Sequence, residues 1–347
     1  MKKVFKFQVL FALLAICLAS CSSDDPAPVY PSLKGDFVVS EGGFGKNNGA
    51  IAFYNEEVSD NDIFFSVNDR KLGDIVQDFE MVDTLGFIVV NNSQKIEIVR
   101  MRDFKSVETI DDDQLTYPRF VTQATNSTVY ITNGSMDGEV LIYDFKKFEF
   151  AGSIAVGKGP EMMAKVGNKM YVANSGGYGV DNTVSVIDIE QNKVVETITL
   201  DEGSVTLKLD NNNDVWVYSK GAHGGTWTWS DAKLYKINSK TDEIAKTFEL
   251  NGTIGTYGSN LFSISKQGEV FYMTDAIYKM DINATDVPAE KWLDKTFYGI
   301  DINTETGQVY CFDSVNNEVV IINKEDGAEI KKITGTAPNP RAAIFNY

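Results

Sequence analysis

Histidine and cysteine are nearly absent from this chain, and their scarcity excludes much of the chemistry a protein of this size can carry. There is one histidine, His223, and there are three cysteines, Cys17, Cys21 and Cys311. A tetrahedral zinc site of the usual ligands cannot be assembled from that set. No Ser/His/Asp order or nucleophile elbow is found, and the acidic pairs are too many to single out a general acid. Basic charge is also short: 32 Lys and Arg against 49 Asp and Glu leave a formal charge of −17, which repels nucleic acid and anionic headgroups. Beyond residue 34 there is no helical apolar stripe, and after the first twenty residues no apolar run is long enough to cross a bilayer. Two glycine- and acid-rich segments mimic ligand loops without fitting them. Asp210-Asn211-Asn212-Asn213-Asp214 starts like a calcium loop but has Val215 at the sixth position, so it reads as a hairpin turn. Gly157-Lys158-Gly159-Pro160 has the wrong spacing for a phosphate loop, and no helix follows it.

What is present begins with a basic start, Lys2, Lys3 and Lys6, and an apolar run from Val9 to Ala19, the pattern of a signal peptide over 1–20. The run ends in Leu18-Ala19-Ser20-Cys21, which resembles the lipobox of bacterial lipoproteins. That resemblance implies cleavage before Cys21 and a diacylglycerol on its thiol, the one covalent group expected. Residues 21–33, with Ser22-Ser23-Asp24-Asp25 and a Pro-rich stretch, read as a flexible tether. The acidic pair resembles the surface-export signal of Bacteroidetes lipoproteins; a solvated linker is the plainer reading. Loss of the signal takes the formal charge from −17 to −20 and leaves Cys311 as the only free thiol, so no internal disulfide is expected.

From residue 34 to 347 the chain is built of short apolar runs between Gly, Asn and Asp turns, the mark of an all-β fold. One kind of run recurs seven times: DFVVSE at 36, FIVVNN at 87, VYITNG at 129, MYVANS at 170, VWVYSK at 215, VFYMTD at 270 and VYCFDS at 309. Anchored on Ser40, Asn91, Thr132, Ala173, Tyr218, Met273 and Phe312, the spacings are 51, 41, 41, 45, 55 and 39 residues, in the range of propeller blades. Each run but the first follows a hairpin partner, and each precedes a second hairpin, as in TVSVIDIEQNKVVETITL at 183–200. Two hairpins make a four-stranded blade that must stack on its neighbours.

The first repeat lacks its leading strand, and the last residues supply one. Pro340-Arg341-Ala342-Ala343 is similar to Pro118-Arg119-Phe120-Val121 but has no hairpin after it. We therefore expect a seven-bladed β-propeller whose C-terminal strand closes the ring. A solenoid is the alternative, and it would need capping repeats at both ends.

In such a ring the loops between second and third strands share a face with the connections between blades. Here those loops are GGFGKNNG at 42, GSMDG at 134, SGGYGVDN at 175 and KGAHGGTWTWSD at 220. Glycine admits close backbone approach, and Tyr or Trp offers a flat face with a polar tip. The candidate ligand-binding residues are Phe44, Asn91, Tyr117, Arg119, Asn133, Asn174, Tyr178, His223, Trp227, Trp229, Tyr257, Tyr298 and Arg341. Pro160, Glu161 and Asn260 fall in the same blade connections. Glycine and asparagine also simply make tight loops, His223 reads first as a solvated loop histidine, and the Trp227 and Trp229 pair can equally fold onto its own blade.

The lipobox, the SEGGFGKNNGAIAFYN opening and units of the form MYVANSGGYGVDNTVSVIDIEQNKVVETI together resemble the YncE-like seven-bladed propeller lipoproteins of Bacteroidetes, over nearly all of 34–347. Within that group the chain is most similar to the cobalamin-binding surface lipoproteins of outer-membrane corrinoid uptake. The resemblance implies capture of cobalamin or another corrinoid at the cell exterior and delivery to a TonB-dependent outer-membrane transporter, with no enzymatic step, no metal and no nucleic acid. It carries over no individual contact residue. The alternatives are another surface ligand, a glycan or partner protein, and a metal-dependent hydrolase or lyase. A monomer on a lipid anchor is the expected state.

Overall fold

The computed structural model describes residues 30, 32–134, 136–177, 181–201, 203–221, 232–255, 258 and 260–347. They form seven antiparallel sheets, each a blade. The innermost strands are Pro340–Asn346, Val76–Val82, Val121–Gln123, Pro160–Val166, Ser204–Leu209, Phe262–Ile264 and Gly299–Ile302 for blades one to seven. The seven solid apolar runs are the second strands, from Gly35–Ser40 in blade one to Gln308–Asp313 in blade seven. They read as solid because blades cover both faces of each sheet.

Ring closure is as expected. Blade one has the order Pro340–Asn346, Gly35–Ser40, Ala50–Tyr54, Ser59–Asp60, and Val38 of the second strand pairs with Ala343 of the last. Alternation along Gly35–Ser40 assigns its side chains to different layers. Phe37 and Val39 join Phe79, Ile88 and Phe104 toward blade two, while Val38 joins Tyr310, Phe312 and Ile321 toward blade seven. The core is thus a series of interblade layers. Phe37 alone meets the rings of Phe53, Phe79 and Phe104 at 4.8, 5.3 and 5.6 Å, a burial worth about 2–3 kcal/mol.

Two blades depart from a regular four-stranded ladder. Blade six has three strands. Its outer position is filled by an irregular segment that touches the sheet through an isolated bridge from Ile277 to Leu293 and through Trp292 edge-on to Phe271 at 4.9 Å. Pro288 and the Asp-rich sequence around it disfavour a regular ladder there. Blade one ends in a two-residue strand followed by a short helix, Ile63–Asn68, capped by the Asp62 side chain on the Phe65 amide. The packed body also begins earlier than residue 34. Leu33 is buried with Phe37, and Tyr30 sits edge-on to Phe53 and donates its hydroxyl to Asp60. These two side chains have apolar surface to bury, which the polar tether before them lacks. Among the described residues no helix is long and apolar enough to cross a membrane.

Candidate functional site at the channel mouth

The second-strand ends and the inner-strand starts meet on one face, where main-chain bonds fasten loop to connection. Glu41 donates its amide to Asn339, Asn91 to Ile75, Arg119 to Thr132, Ser175 to Gly159 and Tyr298 to Phe312, at 2.8 to 3.0 Å. At Gly159, φ is +54° and a Cβ would lie 2.0 Å from the Gly177 nitrogen, so only glycine permits this approach. Gly157–Pro160 is therefore a blade connection clamped to the blade-four loop. Asp210–Asp214, on the opposite side of its blade, is a turn. The Asp210 carboxylate accepts the amides of Asn212 and Asp214, the Trp216 indole and the Lys236 ammonium.

The inner strands start with a repeated pattern: Pro118-Arg119, Pro160-Glu161, Pro340-Arg341 and, with valine for proline, Val76-Gln77. The repeat places the second residue of each pair at the rim of the central channel. Arg119 reaches Glu161 Oε2 through Nη2 at 2.9 Å and Nε at 3.1 Å, and donates through Nη1 to Gln77 Oε1 at 2.6 Å. Arg341 donates to the Gln77 main-chain oxygen and pairs through Nε with Glu41 Oε1 at 3.0 Å. Tyr298 donates to Glu41 Oε2 at 2.9 Å. Lys220, at the start of the blade-five loop, is buried. Burial lowers its ammonium to about 8, with Arg119 and Arg341 pushing the same way against Glu161 and Glu41. The result is a polar ring drawn from six blades at this end of the channel. Removing one partner of such a pair strands the other, at about 3–5 kcal/mol.

Sequence reasoning placed Arg119, Arg341 and Tyr298 among the candidates, and the structure brings these three together. Tyr117 lies beside them, with the Arg119 guanidinium 5.4 Å over its ring. Phe44 is exposed at the tip of the blade-one loop, and Met136 and Val315 are exposed on the matching loops of blades three and seven. The three asparagines have a different part. Asn91 donates to the Pro118 carbonyl, Asn133 accepts the Tyr117 amide and donates to Gln114, and Asn174 donates to Thr183 and Ser185. All three are buried, and their side chains hold the loops in place. Tyr178, His223, Trp227, Trp229, Tyr257 and Cys21 lie outside the described residues.

Gln77 and Lys220 were not in the candidate set. Gln77 was findable by extending the Pro-Arg alignment to the second repeat. Lys220 had no signal beyond its place at the edge of a loop.

Below the ring the channel widens into a cavity of about 380 Å³ lined by all seven inner strands or their starts. Asp78 accepts the Val121 amide at 2.9 Å, and Lys208 lies 3.5 Å from Asp301. Burial raises the Asp78 carboxyl to about 6. Burial and the Asp78 charge raise Glu80 to about 8, against a lowering by Lys208. Among the described residues no cluster of three or more His, Cys, Asp or Glu is arranged to hold a metal ion.

The architecture defines a seven-bladed β-propeller. Residues 34–337 match the family described as Domain of unknown function (DUF5074), and the chain belongs to that family. Among solved structures it is similar to a quinonprotein alcohol dehydrogenase-like protein from Bacteroides thetaiotaomicron. That match has a TM-score of 0.68 and 15% identity, over 91% of this chain and 79% of that one. It is also similar to the hydrazine synthase of Kuenenia stuttgartiensis, with a TM-score of 0.57 and 14% identity over 74% of this chain and 85% of that one. At such identities the likeness is one of fold. No curated protein matches the sequence.

Proposed function

We propose that this protein is an exported, lipid-anchored capture propeller that binds cobalamin or a related corrinoid on its loop-bearing face and passes it to a TonB-dependent outer-membrane transporter. The observation that carries the reading is the composition of that face. Exposed apolar tips at Phe44, Met136 and Val315 stand on the loops around a fixed ring of Arg119, Arg341, Tyr298 and Lys220. A corrinoid is broad and rimmed with amides, so it requires apolar contact spread over a wide face and many fixed hydrogen-bond partners within it. The glycine- and tryptophan-rich sequence between Lys220 and Ala232 leaves and returns on this same face, which supports the reading further. The lipobox resemblance supports the anchor, and the acidic pair Asp24-Asp25 supports the outward location.

Calorimetric titration of the mature chain with cyanocobalamin tests it. One-to-one binding is expected, weakened at least tenfold by replacing Trp227 and Trp229 together with alanine. Absence of heat and of tryptophan quenching would reject corrinoid capture and turn attention to a glycan or partner protein on the same face.

A further inference from the structure

The channel cavity has a chemistry of its own, separate from the mouth. None of Gln77, Arg119, Glu161 or Arg341 lines it. Its walls run from Asp78 and Asn260, just below the ring, to Leu209, Lys165 and Ile344 toward the far ends of the inner strands, so it opens on the face opposite the loops. Asp78 and Glu80 are two residues apart on one strand and both face the channel.

We infer that this cavity is a binding site for a small organic ammonium ion, entered from the face opposite the loops.

The polar groups that the cavity leaves unused are acceptors. Asn260 is buried, and its Nδ2 donates to Asp301 at 3.1 Å. That bond fixes the amide orientation, and it leaves the buried Oδ1 without a partner. Glu80 is half-buried, and no described residue hydrogen-bonds or ion-pairs with it. A buried acceptor left unmade costs about 1–3 kcal/mol, and a ligand with N–H or O–H donors satisfies it. Charge points the same way. Asp78, Glu80 and Asp301 face the cavity with Lys165 and Lys208, which leaves one negative charge in excess when all are ionised. Lys165 is directed to the Ala124 carbonyl at 2.6 Å and Lys208 to Asp301, so neither forms an ion pair with Glu80. A primary ammonium supplies one positive charge and three donors. The cavity volume admits a small molecule and no macromolecule.

Occupancy is linked to protons. Glu80 holds its proton near neutral pH because of burial and the neighbouring Asp78, while Lys208 favours the ionised form. An arriving cation displaces that proton to solvent, so affinity rises with pH until Glu80 is ionised without help.

Ethanolamine is the probe, titrated into the mature chain at constant ionic strength at pH 6.0 and pH 8.0 and followed by calorimetry in two buffers of different ionisation enthalpy. Saturable binding is expected, at least fivefold tighter at pH 8.0, with net proton release at the lower pH. Glu80→Gln, an isostere of the protonated side chain, is expected to keep the fold and to lose at least tenfold in affinity. Asn260→Ala tests the second contact and is expected to weaken binding severalfold. No saturation in the wild-type chain overturns the proposal. Equal binding of the neutral analogue ethylene glycol, or equal displacement by potassium ion, also overturns it. Cyanocobalamin binding is untouched by any of these outcomes, because its proposed face is at the other end of the channel.

Discussion

Tyr310 of blade seven donates its hydroxyl to the Asp36 carboxylate of blade one at 2.5 Å, a bond between residues 274 apart in sequence. It lies in the layer where the ring closes, beside Ala343 of the final strand and the edge-on ring of Phe345 at 4.9 Å. Equivalent bonds join other neighbours: Tyr171 of blade four to Asp242 of blade five, and Tyr130 of blade three to Asn192 of blade four, each at 2.5 Å. The repeat thus carries a tyrosine on the second strand that fastens each of these blades to the next. Tyr310→Phe removes the closing bond and leaves a half-buried carboxylate oxygen unsatisfied. The expected loss is about 2 kcal/mol, read as a fall in Tm of roughly 3 °C for a body of this size. Burial, followed by the Asp36 charge, raises the Tyr310 hydroxyl above its ordinary value of 10.0. Its stabilisation is therefore complete below about pH 10 and is lost as pH climbs beyond. The variant should approach wild type under alkaline denaturation, and an unchanged gap would refute the role.

The ring itself was legible because the sequence repeats it. The run FIVVNN marks Leu85–Val90 and VYCFDS marks Gln308–Asp313, and Pro340-Arg341 announced the missing strand of blade one by its likeness to Pro118-Arg119. What stayed hidden depends on partners rather than on runs. Asn91 and Asn133 stand at the ends of their apolar runs, and nothing local tells whether their amides face solvent or a carbonyl 27 or 19 residues away. Glu80 reads as an ordinary polar residue alternating along a strand, since its channel-side place follows only once seven inner strands surround it. The helix at Ile63–Asn68 escaped because six residues cannot display a helical period, although Asp62 three residues before Phe65 is an N-cap signal.

Anchoring is tested at Cys21. If the thiol carries diacylglycerol, cells given labelled palmitate incorporate it into the wild-type chain, and the protein sediments with membranes. Cys21→Ser is expected to abolish the label and to leave the precursor with its signal uncleaved. A single acyl chain holds a protein to a bilayer only marginally, and a diacylglycerol supplies two; the label and the cleavage are the readouts in the variant, because an uncleaved apolar signal also sediments with membranes. Labelling that persists in the variant would remove the lipoprotein assignment and leave the propeller fold as it stands.

Lys220 offers a test of whether the mouth ring is kept for stability or for binding. Its ammonium, lowered by burial to about 8 from an ordinary value of 10.5, is a charge that the folded state bears at a cost. The sign follows from proton counting: between pH 8 and 10.5 the unfolded chain binds the proton more than the native one does, so stability rises with pH across that window. Below pH 8 the full penalty is present, of order 1–3 kcal/mol once the nearby Glu161 and Glu41 carboxylates are allowed for. Lys220→Met is thus expected to be more stable than wild type at pH 7 by denaturant unfolding. That advantage should shrink as pH rises toward 10.5, while the ionisation of tyrosines common to both chains cancels in the difference. A residue whose removal stabilises the fold is retained for another reason, and here the same variant should bind its ligand more weakly on the loop face. If Lys220→Met is instead less stable at pH 7, the ammonium is a structural member of the ring, and the mouth loses its strongest claim to a binding role.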